Sequence, residues 1–307
     1  MRFIVVGEAL VDILPGPDGS GNPAELPGGS SANVAVTLAR LGRAPQLVTV
    51  LADDARGQLV RRWLEASGVA VQATAPANGR TSTAAVSLDA AGVASYQFDL
   101  TWDLPPAALL PALTEIGPGA LHVGSIATVL DPGAATVAQA MQVAAGKLLV
   151  SFDPNARPAI TPDVETTRTQ VEQLVSLSNL VKVSEEDLAW YYPGIEPVEV
   201  ARRWVKLGPA VVVVTLGGEG AVAVRCNGVE LRIPGVPVKV ADTIGAGDTF
   251  TGALLDGLAS AGVVNNQTLT DLPDADLLAA LNWAAKAAAI TCSRPGANPP
   301  TRTELLT

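Results

Sequence analysis

The chain has 307 residues, of which 48% are hydrophobic and 16% are charged, and its formal net charge at pH 7 is −10. This composition predicts a folded globular protein with one large domain or two modest ones. The sequence lacks both the clustered Lys and Arg that bind nucleic-acid phosphates and an uninterrupted apolar run of about 18 residues, so we expect no nucleic-acid partner and no membrane span.

The first part of the chain alternates short apolar runs with helical patterns of polar and apolar residues. The predicted elements are a strand at residues 3–7, a helix at 31–41, a strand at 46–51 and a helix at 54–67. Asp54 is expected to cap the second helix, and Gly68 to end it. This order of elements is typical of a sheet whose strands run parallel.

Residues 82–88 and 93–100 break this alternation, because each has alternating apolar and polar residues on one side of a turn. Such a pair predicts a β-hairpin, which does not fit easily into a parallel sheet. We therefore predict a small β lid over a substrate, with a functionless surface hairpin as the alternative. Strands at residues 9–14 and around Glu25 are expected to join it, so that the lid spans about residues 9–27 and 79–103.

The rest of the chain returns to alternating strands and helices. Strands are predicted at residues 120–124, 148–152, 180–183 and 210–215, and helices at 133–145, 163–177 and 197–207. The pattern predicts an α/β fold with a mostly parallel central sheet and helices on both faces, in a single domain of residues 1–307. Ligands of such sheets bind beyond the carboxyl ends of the strands. Residues 262–276 are predicted to form a polar loop without a role.

A glycine-rich turn, Gly245-Ala246-Gly247, precedes an apolar run at residues 251–258 that is typical of a helix. Such a turn lets backbone N–H groups face an anion, and the helix dipole adds positive potential there. Asp248 places a carboxylate beside this anion site, which makes sense if the carboxylate handles a proton while the amides hold a phosphoryl group in transfer. We interpret the segment as the catalytic centre of a small-molecule kinase, with an ordinary helix N-terminus as the alternative.

A second glycine-rich entry to a helix, at residues 27–35, lacks the Lys-Ser/Thr ending of a P-loop. Gly28 and Gly29 permit the close approach of a compact polar ligand. Asn33 offers donor and acceptor groups that suit a sugar hydroxyl, and Asp12 at a strand end could also bind hydroxyls. Each residue alone is explained more simply as a turn, a cap or a surface group, but their occurrence together with the Asp248 motif favours a sugar site.

The single histidine and the two cysteines limit the chemistry further. His122 ends a predicted buried strand, so a structural role is favoured for it. Most Ser-His-Asp and Cys-His mechanisms would depend on that one residue, which favours carboxylate chemistry. Cys226 and Cys292 cannot form a disulfide framework or a cysteine-rich zinc site, and their small number fits a reducing cytoplasm.

These motifs resemble the signatures of the ribokinase-like sugar kinases, the PfkB carbohydrate kinase family. Residues 28–35 resemble the N-terminal signature and residues 242–248 the C-terminal one, and the likeness runs almost end to end. Residues 7–12, 152–158 and 182–188 are most similar to bacterial fructokinases. The resemblance implies a ribokinase-like fold and an ATP-dependent transfer of the γ-phosphoryl group to a primary hydroxyl of a small sugar, with fructose favoured.

Other acceptors and other classes of protein are the alternatives to this interpretation. The same family includes kinases of 2-keto-3-deoxygluconate, ribose and nucleoside-like ribosides, and the lid residues Tyr96, Phe98 and Trp102 are expected to discriminate among them. A catalytically silent binding module is disfavoured because Asp248 and the turn glycines are present. A dinucleotide-dependent oxidoreductase is disfavoured because residues 7–10 lack the Gly-x-Gly-x-x-Gly turn.

The resemblance also assigns roles to individual positions. It implies that Asp248 is the base and that the amides of Gly245, Ala246 and Gly247 form the anion hole. The residues implied to hold the sugar are Asp12, Gly28, Gly29 and Asn33, with Asn155 and Arg157 contacting substrate or phosphate. Those implied to bind the nucleotide are Ser184, Thr215, Gly217, Gly220 and Asn282.

The implied cofactors are ATP with Mg²⁺, and K⁺ as a monovalent cation. Asp242 would help to place the monovalent cation. The family's Asn-x-x-Glu motif is Ser184-Glu185-Glu186-Asp187 in this chain, so Asp187 would contact Mg²⁺ indirectly, through water. Relatives often dimerise through their lids, which implies a homodimer.

Overall fold

Two β-sheets of different size carry the fold, which a computed structural model describes for residues 1–14, 23–88, 94–114, 117 and 119–307. In chain order the strands are β1 (Arg2–Val6), β2 (Leu10–Leu14), β3 (Ala24–Gly28), β4 (Pro45–Val50), β5 (Ala70–Thr74), β6 (Thr83–Leu88), β7 (Ala94–Asp99), β8 (Gly119–Gly124), β9 (Leu149–Asp153), β10 (Leu180–Ser184), β11 (Val211–Thr215), β12 (Ala221–Arg225) and β13 (Glu230–Ile233). Among the described residues, nine strands form the larger sheet in the order β13-β12-β11-β10-β9-β8-β1-β4-β5.

The larger sheet is parallel from β5 to β11, and only β12 and β13 pair antiparallel at one edge of the described sheet. Helices connect the parallel strands. They are α1 (Ser30–Arg40), α2 (Ala55–Ala66), α3 (Pro106–Thr114), α4 (Gly133–Ala144), α5 (Val164–Ser176), α6 (Glu185–Tyr191), α7 (Pro197–Trp204), α8 (Ala246–Ser260), α9 (Asn266–Thr270), α10 (Asp274–Cys292) and α11 (Arg302–Leu306). The predicted mostly parallel α/β fold is confirmed.

Alternating side chains bury both faces of the larger sheet. On β1, Phe3 and Val5 belong to one apolar cluster, while Ile4 and Val6 belong to a second cluster on the opposite face. Successive side chains of a strand point to opposite faces, so a strand that is apolar throughout needs cover on both sides. Each fully buried aliphatic side chain contributes about 1.5–3 kcal/mol, and the two clusters together hold the strand ends in place.

The smaller sheet has four described strands in the order β3-β2-β6-β7. Strand β2 pairs antiparallel with β3, and β6 pairs antiparallel with β7, as the alternating pattern predicts. The two hairpin-like pairs are joined through a parallel pairing of β2 with β6, so the sheet is mixed. The small additional sheet is confirmed, whereas the turn at residues 89–93 lies outside the described residues.

Helix starts follow their capping residues. Asp54 accepts a hydrogen bond from Gly57 N at the start of α2, as predicted, and Gly68 follows the helix with a φ of +88°. Residues 262–276 differ from the predicted loop, because Asn265 and Thr268 form a reciprocal capping box that starts the short helix α9. The polar residues that suggested a loop are therefore the cap of a helix. None of the described helices is long and apolar enough to cross a membrane.

The position of Trp102 does not fit its predicted role in substrate discrimination. Its side chain is only 3% exposed, packs in the same apolar cluster as Leu104 and Leu109, and donates its indole N–H to Ala127 O at 2.9 Å. Phe98 packs against the small cluster of Leu10, Ala84 and Ile126. The side chain of Tyr96 lies outside the described part of the structure. Trp102 is therefore a residue of an apolar core cluster of the larger sheet.

We expect Trp102→Ala to lower the free energy of unfolding by about 3–5 kcal/mol, because it removes a large buried side chain and leaves Ala127 O without its donor. Urea unfolding followed by circular dichroism measures the loss. The matched control is Trp63→Ala, since Trp63 is only half-buried on α2, and its loss should be clearly smaller. Equal losses in the two variants would contradict the core assignment.

Candidate active site

The carboxyl ends of the parallel strands bring the polar residues of the site together. Glu8 follows β1, Asp153 ends β9, Ser184 ends β10 and Thr215 ends β11, and these strands lie in one parallel sheet. Parallel strands place all their carboxyl ends at the same edge, where α/β proteins bind ligands. The helix starts of α1 and α8 reach the same region through their contacts with Asp248.

The turn before α8 requires glycine. Gly245 has a left-handed conformation, with φ +72°, and a Cβ atom there would lie 2.6 Å from Cβ of Ala297. The following N–H groups belong to the first turn of α8, where helices bind anions. Ala246 N–H donates to Thr243 O at 3.2 Å, so one of the three predicted anion-hole amides is engaged in this conformation.

Asp248 is the buried carboxylate at the centre of the site. Its Oδ1 accepts from Ser30 Oγ at 2.7 Å, its Oδ2 accepts from Asn33 Nδ2 at 2.8 Å, and Asn155 Nδ2 lies 3.4 Å from Oδ1. Burial raises the pKa of Asp248, while the hydrogen bonds from Ser30 and Asn33 oppose this rise. A fixed carboxylate with a raised pKa is suited to accept a proton.

Ser30 and Glu8 support Asp248, and the sequence analysis missed both. Asn155 Nδ2 lies 2.8 Å from Ser30 Oγ, and Ser30 N–H donates to Glu8 Oε1 at 3.1 Å. Burial raises the pKa of Glu8 to about 7, and its Oε2 has no partner among the described residues. The available signal was an acid two residues after a buried strand, where a buried charge needs a functional or structural reason.

Asp12 and the two glycines of the first signature are packed together. Strand pairing sets Gly28 opposite Leu10, and a Cβ atom on Gly28 would lie 2.2 Å from Asp12 Oδ2. Gly29 has a φ of +108°, and a Cβ atom there would lie 2.6 Å from Glu8 O. Burial raises the pKa of Asp12 to about 6. The two glycines therefore leave space for Asp12 and Glu8 that a larger side chain would occupy.

Asn155 and Arg157 lie in the loop after β9. Asn155 adopts a left-handed φ of +40° and aims its amide at Ser30 Oγ. The exposed Arg157 folds back, so that its Nη1 donates to Asn155 Oδ1 at 2.7 Å and to Ala156 O at 2.8 Å. Its positive charge lowers the pKa values of Glu8 and Asp12, although burial outweighs it at both.

Asp153 and Lys182 form a buried ion pair that the sequence analysis also missed. Lys182 Nζ lies 3.0 Å from Asp153 Oδ2, and the two side chains are 5% and 1% exposed. Burial lowers the pKa of Lys182, but the negative charges of Asp153 and Asp187 outweigh it, so the pKa lies above its ordinary value and the ammonium is charged. The available signal was a lone lysine inside the apolar strand β10.

Ser184 and Asp187 begin α6 with a reciprocal capping box. Asp187 N–H donates to Ser184 Oγ at 3.0 Å, and Asp187 Oδ1 accepts from Ala156 N at 2.9 Å. Burial raises the pKa of Asp187, and Asp153 adds to the rise. This carboxylate therefore holds the loop after β9 against the start of α6.

The remaining predicted nucleotide residues lie on β11, in the turn after it and on α10. Thr215 ends β11, and Gly217 and Gly220 have φ of +50° and +98° in the tight turn that follows. A Cβ atom on Gly220 would lie 2.1 Å from Ile233 O. Asn282 is exposed on α10, where its amide donates to Leu278 O of the same helix rather than to this turn.

Asp242 organises the loop that leads to α8. Its Oδ1 accepts from Ile244 N at 2.9 Å, and its Oδ2 accepts from Gly296 N at 2.9 Å. The carboxylate therefore ties the loop before α8 to the residues after α10. In the described part of the chain, no group of three or more His, Cys, Asp or Glu is arranged to hold a metal ion.

Comparison with known proteins decides the family. Residues 2–304 match the pfkB family carbohydrate kinases. The chain belongs to the pfkB family. A fructokinase of Klebsiella pneumoniae is 36% identical over 298 residues, covering 94% of each chain.

Two solved pfkB-like structures also match nearly the whole chain. The fructokinase of Xylella fastidiosa with bound ATP has a TM-score of 0.89 at 26% identity, covering 99% of this chain and 97% of that one. A double mutant of the Vibrio cholerae O395 fructokinase, bound to fructose, ADP and potassium ion, has a TM-score of 0.85 at 29% identity, with the same coverage. The ribokinase-like fold is confirmed.

In this pfkB-family kinase, His122 is buried on β8, and its Nδ1 lies 3.1 Å from Ser151 Oγ. Burial lowers the pKa of His122 to about 4, although Asp153 opposes this. The ring is therefore neutral at pH 7 in the native state. This agrees with the structural role that the sequence analysis favoured.

We expect His122 to make the folded kinase less stable as the pH falls. The native pKa of about 4 lies below the ordinary 6.5, so the unfolded chain gains a proton that the native chain does not, and stability is lost between these values. His122→Asn removes this effect. The unfolding free energy of the wild-type protein minus that of His122→Asn should therefore fall by about 2 kcal/mol from pH 7.5 to pH 5. Urea unfolding at both pH values measures it, and a constant difference would contradict it.

Proposed function

We propose that this enzyme transfers the γ-phosphoryl group of ATP to a primary hydroxyl of fructose, with Asp248 as the base. The observation that carries the proposal is the position of Asp248: a buried carboxylate in the first turn of α8, next to a helix N-terminus and hydrogen-bonded to α1. The fructokinase relatives match nearly end to end, which supports fructose as the acceptor.

Asp248 would accept the proton of the sugar hydroxyl as that oxygen attacks the γ-phosphorus. Ser30 and Asn33 fix the carboxylate, and its raised pKa makes it a better proton acceptor. General-base help of this kind contributes about 10²–10⁴-fold to the rate. Phosphoryl transfer otherwise needs alignment and charge stabilisation, which the N–H groups of Gly245 and Gly247 would provide to the moving phosphoryl group.

Unused polar atoms near Asp248 fit a hydroxyl-rich ligand. Asn33 Oδ1 and Glu8 Oε2 are buried and have no hydrogen-bond partner among the described residues. Buried acceptors without partners are costly, and hydroxyl donors would satisfy them. With Asp12, Asn155 and the room left by Gly28, these atoms form the surface that we assign to the sugar, with Gly29 bringing the two segments together and Arg157 at its edge.

The turn after β11 and the start of α6 would hold the nucleotide. Thr215, Gly217 and Gly220 offer backbone groups at a tight turn. Ser184 ends the neighbouring strand β10, where it pairs with Thr215. Asn282 stays a prediction, and its amide is bonded within α10. The exposed apolar side chain of Ile244 lies on the loop that precedes α8.

The acidic residues fit cations that are bound mainly through the nucleotide and water. Mg²⁺ usually takes one or two carboxylates together with substrate phosphates and waters. Asp187, whose two oxygens each accept one backbone N–H group, would contact it through water, as the resemblance implies. Asp242 has free lone pairs for K⁺ beside the anion-hole loop, and related structures contain potassium or calcium ions. When bound, Mg²⁺ would neutralise charge on the transferring phosphates.

The lid and the assembly complete the proposal. The smaller sheet would cover the sugar and exclude water, so that ATP is not hydrolysed. Strand β2 carries Asp12 into the site, which supports a lid that also binds substrate. A homodimer through the lid and a cytoplasmic location stay predictions.

We expect Asp248→Asn to lose most turnover, about 10²-fold or more, because the amide cannot accept the proton. The assay measures ADP release with ATP and Mg²⁺ over a panel of fructose, ribose, 2-keto-3-deoxygluconate, glucose and nucleosides. Fructose should give the strongest signal with the native enzyme. Sugar and ATP binding, measured by calorimetry, should survive in the variant.

The matched control is Asp256→Asn. Asp256 is another buried aspartate of α8, which binds Arg43 and Arg302, and its loss should lower stability rather than turnover of the folded protein. Near-normal turnover in Asp248→Asn would remove Asp248 from the role of base. A stronger signal on another acceptor would replace fructose but keep the kinase chemistry.

We expect Gly28→Ala to raise KM for the sugar about tenfold or more, because the new Cβ would lie 2.2 Å from Asp12 Oδ2 and displace a charged sugar contact. KM for ATP should change little. Gly117→Ala is the matched control, since no described atom lies within 4 Å of its new Cβ. Equal effects on both KM values would argue that Gly28 matters for the fold and not for the sugar.

A further inference from the structure

A buried pair of opposite charges lies beneath the start of α8, outside the set of residues given a chemical role above. Asp153 and Lys182 lie on the neighbouring parallel strands β9 and β10, with Nζ and Oδ2 3.0 Å apart. Buried ion pairs of this kind contribute little net stability, because desolvation offsets their attraction. A well-packed apolar pair would serve the core as well, so the pair calls for another explanation.

Hydrogen bonds join this pair to the first turns of α8. Thr251 Oγ1 donates to Asp153 Oδ2 at 3.2 Å and lies 3.1 Å from Gly247 O. A Cβ atom on Gly247 would lie 3.0 Å from Lys182 Nζ, so the ammonium packs directly against the anion-hole turn. Asp248 stands between these two contact points along the helix. The pair is therefore fixed relative to the base.

We propose that Asp153 and Lys182 are a positioning pair that holds the turn at Gly247 beneath the transferring phosphoryl group and sets the charge around Asp248, with Lys182 favouring its ionised form and Asp153 opposing it. The inference rests on the proposed role of Asp248 as the base. Neither residue needs to contact substrate, because the ammonium acts through the turn and through its charge. The second oxygen of Asp153, Oδ1, is buried without a partner among the described residues, so the pair is not optimised for stability alone.

Charges reach Asp248 from several packed elements. Negative charges come from Glu8 and Asp12 at the start of the smaller sheet and from Asp153 on β9. The positive charge of Lys182 on β10 lowers the pKa of Asp248, whereas Asp153 raises it. Two uncharged hydrogen-bond donors, Ser30 and Asn33, reach Asp248 from α1. The two members of the pair therefore act on the base with opposite sign.

Further charges belong to the same surroundings. Arg157 follows β9 and acts on Glu8 and Asp12, and Asp187 begins α6 and acts on Lys182. His122 on β8 faces Asp153 and Lys182 but is neutral at pH 7. None of these groups is changed in the experiment that follows, so they form a constant background for the two charges that it removes.

The pH dependence of kcat/KM for the sugar tests the proposal. In Lys182→Met the acidic limb should move up by about one pH unit, because the base loses a cation and keeps an anion. In Asp153→Asn it should move down, because the base loses an anion and keeps a cation. If the pair served folding alone, both variants would lose stability, and their acidic limbs would not move in opposite directions. Lys182→Arg should restore the native limb, and the exposed Lys206→Met should leave it unmoved.

A double variant, Lys182→Met with Asp153→Asn, leaves no unpaired charge and carries the test if Lys182→Met does not fold. The acidic limb of the double variant should lie at a higher pH than that of Asp153→Asn, because these two variants differ only in the ammonium group of Lys182. The pKa of Asp248 itself can be followed by ¹³C NMR of labelled aspartate, assigned by comparison with Asp248→Asn. This readout needs no turnover. Shifts of the same sign in both single variants, or no shift, would overturn the proposal.

The two proposals fail in different ways. If Asp248→Asn keeps normal turnover, the role of the base is wrong, yet the NMR titration still shows whether the pair controls that carboxyl group. If Asp248→Asn is inactive and the limbs do not move, the base stands and the positioning pair is wrong.

Discussion

The hydrogen bonds from Ser30 Oγ and Asn33 Nδ2 to the carboxylate of Asp248 join helix starts that are 218 and 215 residues apart in the chain. They bring the N-termini of α1 and α8 to one buried group. Both glycine-rich turns allow the two helix N-termini to approach closely, because Gly29 and Gly245 take left-handed conformations next to tightly packed neighbours. Without the carboxylate between them, two positive helix ends would face each other.

Burial gives the acids of the site their unusual chemistry. Asp12 and Glu8 have pKa values of about 6 and about 7, and that of Asp248 is also raised, each mainly by loss of water. An acidic protein that handles phosphates needs positive potential in a small volume. Backbone amides at the start of α8 supply part of it, and the ammonium of Lys182 supplies another part from below. The net charge of −10 is compatible with phosphoryl transfer because the field at the site is local.

Sequence reasoning reached the layers of the fold and the glycine-rich turns because those depend on local patterns. The parallel strands follow from apolar runs, and the turns follow from glycine at fixed spacing. Ser30, Glu8 and Lys182 were missed because their roles depend on partners far away in the chain. The parallel pairing of β2 with β6 was missed for the same reason, since local alternation predicts the hairpins and not how they join. Trp102 was misplaced because an aromatic residue near a lid does not reveal which way it packs.

Substrate binding and ionisation of the acids would support each other in the proposed complex. Hydroxyl donors stabilise a carboxylate relative to its protonated form and so lower its pKa. Because linkage is reciprocal, an ionised Asp12 or Asp248 would in turn bind the sugar more tightly. The base would then be most fully ionised once the acceptor hydroxyl is next to it, and less so in the empty site. Burial of these acids, which is costly to the free protein, thereby couples readiness for proton transfer to the presence of the sugar.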